Sequence, residues 1–210
     1  MKNNPGYNYR YEEKTIQQAI LQKTARYISG LQAAELLLKN RFLQELGALQ
    51  RTLDEFQEDV IFLTLGYMFG FEKLHEDYLQ AFWAEESEMS VSTNRYQTPR
   101  KKIRAYISRI ANNGTAASRE IEVASYLARS FSGYVHGASP HIMDMFDPPS
   151  KGFKLNGISD PNLVEDHSSD FENYWFRGTI VMVHFARSVE DQKSMNEIML
   201  VHNQLAPHYH

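Results

Sequence analysis

Along most of the chain, apolar residues return at steps of three and four with charged residues between them, which is the period of amphipathic helices. From Thr15 to about Tyr67 the run includes Ile16, Ala19, Ile20, Leu31, Ala34, Leu38, Phe42, Leu46, Leu49, Leu53, Phe56, Val60 and Leu63. The pattern predicts two long helices or one broken helix. Gly30 and Gly47 are candidate breaks, since glycine costs about 1 kcal/mol against alanine in a helix interior. Glu55, Glu58 and Asp59 read as a solvated face, and Arg41 and Glu45 stand four apart, where they can pair along one helix.

After Gly66-Tyr-Met-Phe-Gly70 an aromatic-rich helix extends to about Glu86, with Tyr78, Phe82 and Trp83 as core or dimer contacts. Ser87 to Gln97 is polar and reads as a loop. Thr98-Pro99 supplies a cap followed by proline at the first helical position, so a helix is expected over about 99–111, ended by Asn112-Asn-Gly114. Thr115 can cap a further helix that runs to about His136 and meets Gly137, and Ser139-Pro140 repeats the start signal for a short turn. Residues 147–166 contain Pro148-Pro149, Gly152, Asn156-Gly157 and Asp160-Pro161, which predict a long irregular loop with one small hairpin at Asn156-Gly157. Two helical stretches follow, about 168–187 and 189–204. With no internal repeat and no βαβ alternation, the expected architecture is an all-α helical bundle with that one long loop. It forms a single domain over 1–210, with N-terminal helices in 11–68 packing on a bundle in 71–204.

Composition narrows the chemistry. The 210 residues include no cysteine, so disulfides, thiolate metal sites and cysteine nucleophiles are excluded. No apolar run approaches the ~20 residues of a membrane-spanning helix, so the expectation is a cytoplasmic protein without a membrane partner. The formal charge of −4 is uneven: between Glu88 and Glu120 there is no acid, yet Arg95, Arg100, Lys101, Lys102, Arg104, Arg109 and Arg119 fall there. The remainder carries 15 basic residues against 26 acidic ones, so an acidic body bears one basic segment. Arg100, Lys101, Arg104 and Arg109, around an apolar side of Ile103, Tyr106, Ile107 and Ile110, are the candidate phosphate or RNA-backbone contacts, with a merely solvated helix as the alternative.

Stepping about 100° per residue through the next helix brings Glu122, Ser125, Arg129, Ser132 and His136 onto one narrow stripe. Val123, Ala124, Tyr126, Leu127, Phe131, Tyr134 and Val135 take the other side. A guanidinium two turns from an imidazole can hold a phosphate while the imidazole moves a proton, with no metal or other cofactor. Arg129 and His136 are therefore the candidate phosphate ligand and acid or base, and Ser132 and Glu122 the groups that position them. A second pair of the same spacing, Arg177 and His184, lies in the penultimate helix, where Asn173 shares its side.

The Arg129/His136 spacing resembles the Arg-x4-6-His motif of the HEPN (higher eukaryotes and prokaryotes nucleotide-binding) superfamily. That resemblance implies a small helical homodimer with a composite site, directed at RNA or a nucleotide. It also implies metal-independent ribonuclease activity or binding alone, and an antitoxin-like partner protein. After the arginine, where catalytic members commonly carry Asn, Asp or His, this chain has Ser130. The segments SGYVHGASPHIMDMF and LQAAELLLKNRFLQELGALQRTLDEF look like a group of uncharacterised bacterial helical proteins, which implies a helical fold. Two alternatives stand beside this reading. One is a non-catalytic interaction or scaffold module in which the stripe is an interface. The other is a hydrolase whose metal is held by His136, His141, Asp144 and Asp147, four potential ligands within twelve residues.

Overall fold

The computed structural model describes residues 2–3, 9–84, 98–114 and 129–209, together with 122, 125 and 126. Thr15 opens the first helix, α1 (Ile16–Lys39): its hydroxyl accepts from the Gln18 amide while the Gln18 side chain accepts from the Thr15 amide. This reciprocal cap satisfies two of the donors that every helix start leaves open. The chain breaks at Asn40-Arg41-Phe42, with Arg41 at φ 61°, and resumes as α2 (Leu43–Phe69). Arg41 thus sits in the linker and shares no helix with Glu45.

The two glycines are not the breaks. A Cβ on Gly30 would stand 2.6 Å from Leu53 Cδ2, and one on Gly47 would stand 2.5 Å from the Tyr134 ring. Each glycine is a place where another element approaches a helix closely, and α1 and α2 pack through the first of them.

Helix α3 (Lys73–Trp83) follows, then α4 (Arg100–Ala111), α5 (Ser132–His136) and α6 (Ser139–Met143). The basic helix begins where the Thr98-Pro99 signal puts it, although Pro99 itself occupies the cap position and no side chain caps it. Gly137 ends α5 with φ 61°, as the sequence requires of a stop there. The earlier part of the expected 115–136 helix lies mostly outside the described residues.

The long loop is shorter than its proline and glycine content suggests. Two-residue strands β1 (Phe146–Asp147) and β2 (Gly152–Phe153) pair antiparallel, so the hairpin turns through 148–151 and not at Asn156-Gly157. Gly157, at φ 102°, instead docks on the α1–α2 linker, where the Ile158 amide donates to the Arg41 carbonyl at 2.8 Å. Asp160-Pro161 starts α7 (Pro161–Ser188), with the Asp160 carboxylate accepting from the Asn162 and Leu163 amides. Helix α8 (Gln192–Leu205) and a 3-10 turn (Ala206–His208) complete the chain.

The fold is all-α, a helical bundle. Helices α1, α2 and α7 pack on one another around a core that includes Ile20, Tyr27, Leu46, Leu53, Leu63 and Val181. Tyr27 donates its hydroxyl to the Tyr174 carbonyl at 2.8 Å, which fixes α1 against α7. No helix of the described residues is long and apolar enough to cross a membrane.

Candidate functional site

The stripe is anchored from behind. Tyr134 lies in the notch that Gly47 leaves on α2, stacks on His141 with ring centroids 4.1 Å apart, and its hydroxyl is 3.2 Å from His167 Nε2. Phe131 packs edge-on against Tyr174 of α7 at 6.1 Å. These two rings face inward, as the helical wheel requires. Tyr126 and Val135, which the wheel puts on the buried side, are exposed. Burial presses the Tyr134 hydroxyl up to about 12 and, as the largest influence, holds His167 below the ordinary histidine range. The neighbouring Asp144 and Asp166 pull His167 the other way.

On the outer side, Arg129, His136 and Glu122 are exposed, and among the described residues none of the three is ion-paired. Ser132 is half-buried. Ser125 Oγ accepts from Arg104 Nη1 at 3.2 Å, which ties the stripe to α4.

The arginines of the basic helix are engaged elsewhere. Arg100 pairs with Asp59 in a very short contact and with Glu55 at 3.4 Å, Arg104 Nε donates to Glu58 at 2.7 Å, and Arg109 reaches Glu72 at 2.7 Å. Asp59 is fully buried and also takes Lys23 at 2.8 Å. Glu55, Glu58 and Asp59 are therefore not a solvated face but the acidic seat on which α4 is clamped. Burial raises the Glu58 carboxyl, against the pull of Arg104 and Arg100. Of the four candidate phosphate contacts, only Lys101 faces solvent without an ion pair among the described residues; Lys102 beside it is exposed as well.

The four metal candidates do not converge. Asp147 accepts from the Ser150 amide and pairs with Lys154 at 3.0 Å, and the Ser150 side chain, then Lys154, hold its carboxyl below the usual range. His141 is stacked on Tyr134, and His136 points outward on the stripe. Among the described residues, no group of three or more His, Asp or Glu side chains could hold a metal ion.

The second Arg/His pair also separates. Arg177 donates from Nε to Gln57 and from Nη2 to Asp54, both at 2.7 Å, and lies over the Tyr174 ring at 4.7 Å. His184 is half-buried, and its desolvation, helped by Arg187, drives its pKa down to about 4. What sequence reasoning missed is a cleft of about 460 Å³ along α7, lined by Asp170, Asn173 and Arg177, by Phe131, and by the C-terminal His208 and Tyr209. The Asn173/Arg177 side was legible; the return of the tail onto it was not.

Compared with family models, curated proteins and solved structures, the chain matches none of them.

Proposed function

We propose that the protein is a HEPN-like, RNA- or nucleotide-directed helical protein that works through Arg129 and His136. One contrast supports the reading. Arg100, Arg104, Arg109 and Arg177 are all engaged by carboxylates, whereas Arg129 and His136 are both exposed and Arg129 is unpaired among the described residues. A guanidinium left without a carboxylate can offer paired donors to a phosphate. The anchoring of Tyr134 on α2, His141 and His167 fixes the helix turn that carries His136, so the backbone at that position is in place before binding.

In the catalytic form of this reading, Arg129 binds the scissile phosphate and His136 accepts the proton of the ribose 2′-hydroxyl. That oxygen attacks phosphorus in line, the bond to the 5′-oxygen breaks, and the leaving oxygen takes a proton from a second imidazole or from solvent. The products are a 2′,3′-cyclic phosphate and a 5′-hydroxyl, without metal. Ser132 and Glu122 position the two groups. A second copy covering the stripe would supply the second imidazole, and the exposed Tyr126, Val135, Ile142 and Met143 around it are the apolar surface such a homodimer would bury. An antitoxin-like protein is the alternative occupant. The same apolar surface favours the second reading, a non-catalytic interaction module.

Incubation of the protein with mixed RNA in EDTA separates these. Cleavage that disappears in His136→Ala supports catalysis, RNA binding without cleavage supports the binding form, and neither binding nor cleavage leaves the interaction module.

A further inference from the structure

The cleft along α7 shares no side chain with the Arg129/His136 stripe, and its two ends differ in charge. Asp170, Asn173, Tyr174 and Arg177 form one row at helical spacing, so Asp170 and Arg177 start about 10 Å apart along the axis. The outer wall is the tail. Tyr209 stacks on Phe176 at 4.8 Å, Phe176 stacks on His202 at 4.5 Å, and His202 Nδ1 lies 2.7 Å from Thr179 Oγ1. The wall is therefore fastened to α7 by rings and one hydrogen bond.

At one end, Arg177 uses Nε and Nη2 on Gln57 and Asp54, while Nη1 makes no hydrogen bond among the described residues and the side chain is 27% exposed. At the other end, Asp170 has no cation beside it among the described residues, and Glu172 adds a second carboxylate to the lining. Burial, followed by the charges of Asp166 and Asp54, raises the Asp170 carboxyl, as expected where negative charge lacks a counter-ion. The carboxylates repel a simple anion, and Arg177, although paired with Asp54 at 2.7 Å, keeps Nη1 for one further acceptor. Between the ends lie Phe131 and Tyr209, which offer apolar surface.

The geometry points to a binding site for a small dipolar ligand, an amine at one end and a carboxylate at the other joined by an apolar spacer. The ammonium sits against Asp170, the carboxylate accepts from Arg177 Nη1, and the spacer lies on Phe131 and Tyr209. The volume of about 460 Å³ is within the range of small-molecule sites, roughly 300–1,000 Å³.

The test is calorimetric titration of the full chain with ε-aminocaproate, hexylamine and hexanoate. Saturable binding of ε-aminocaproate, with each single-ended probe weaker by about tenfold or more, is the expected result. Asp170→Asn should weaken ε-aminocaproate by about tenfold and leave hexanoate unchanged. Because Asp170 is exposed, the variant should fold. No saturable heat from ε-aminocaproate, single-ended probes that bind equally well, or full affinity in Asp170→Asn would each overturn the proposal. None of these results bears on RNA binding at Arg129.

Discussion

Replacing Asp59 with Asn keeps the shape of a fully buried side chain and removes the one charge that faces both Lys23, at 2.8 Å, and Arg100. Lys23 and Arg100 are mostly covered, at 16% and 26% exposed, so water replaces little of what they lose. Breaking a buried pair from one side costs about 3–5 kcal/mol, because the partner is left charged and uncompensated. Arg100 keeps Glu55 at 3.4 Å and Glu58 at 3.9 Å, which places the loss near the lower end, about 3 kcal/mol. For a chain of this length that is a fall in Tm of roughly 6–12 °C. Urea unfolding followed by far-ultraviolet circular dichroism reads it directly. Lys23→Met in the same background removes the stranded ammonium, so the double variant should be more stable than the sum of the singles by about 1 kcal/mol or more. A loss below about 0.5 kcal/mol for Asp59→Asn, or strict additivity, would refute the clamp and return α2's acids to a solvated face.

Acid should weaken the fold in a defined window. His184 titrates near 4 when folded against 6.5 when unfolded, so the unfolded chain binds more protons between those values. The stability it confers is complete above about 6.5, is lost as pH falls through 4, and amounts to about 3 kcal/mol. His75 and His167 act in the same direction and the raised Glu58 and Asp170 in the opposite one, so His184→Leu should flatten the slope of urea stability against pH between 4 and 6.5 without reversing it. Gly47→Ala drives a methyl into the Tyr134 ring 2.5 Å away; destabilisation of about 1–3 kcal/mol is expected despite alanine's better helix propensity, with a matching loss of RNA affinity as α5 shifts. Both are read from the same purified variant, by unfolding and by RNA titration.

The helical bundle was legible because its periodicity is long and regular and because its start signals recur. Thr98-Pro99 precedes a helix, Ser139-Pro140 are the first two residues of one whose cap position is Ala138, and Asp160-Pro161 carries the same signal. There the neighbouring glycines and prolines suggest loop, and the local cap prevails. The glycines of α1 and α2 mislead for the opposite reason: helix propensity counts their cost in isolation, whereas Gly30 and Gly47 are set by Leu53 and Tyr134, remote in sequence. A similar limit hides the acidic seat. Glu55, Glu58 and Asp59 have the spacing of an exposed face, and only the arrival of Lys23, Arg100 and Arg104 makes them interior. Arg129 and His136 are both exposed, but the helix breaks at Phe131 between them, so α5 carries His136 without Arg129 and a wheel of 100° steps does not hold across the break. The α7 cleft depends on a tail that folds back onto Phe176, which no local pattern encodes.

The central claim is that Arg129 serves a ligand and not the fold. The direct measurement is fluorescence anisotropy of a labelled single-stranded RNA titrated with the native protein and with Arg129→Ala, each paired with its own urea unfolding curve. The account predicts that affinity falls about tenfold while unfolding free energy stays within about 0.5 kcal/mol, as befits an exposed side chain without an ion pair. Unchanged RNA affinity together with a stability loss above about 1 kcal/mol would contradict it.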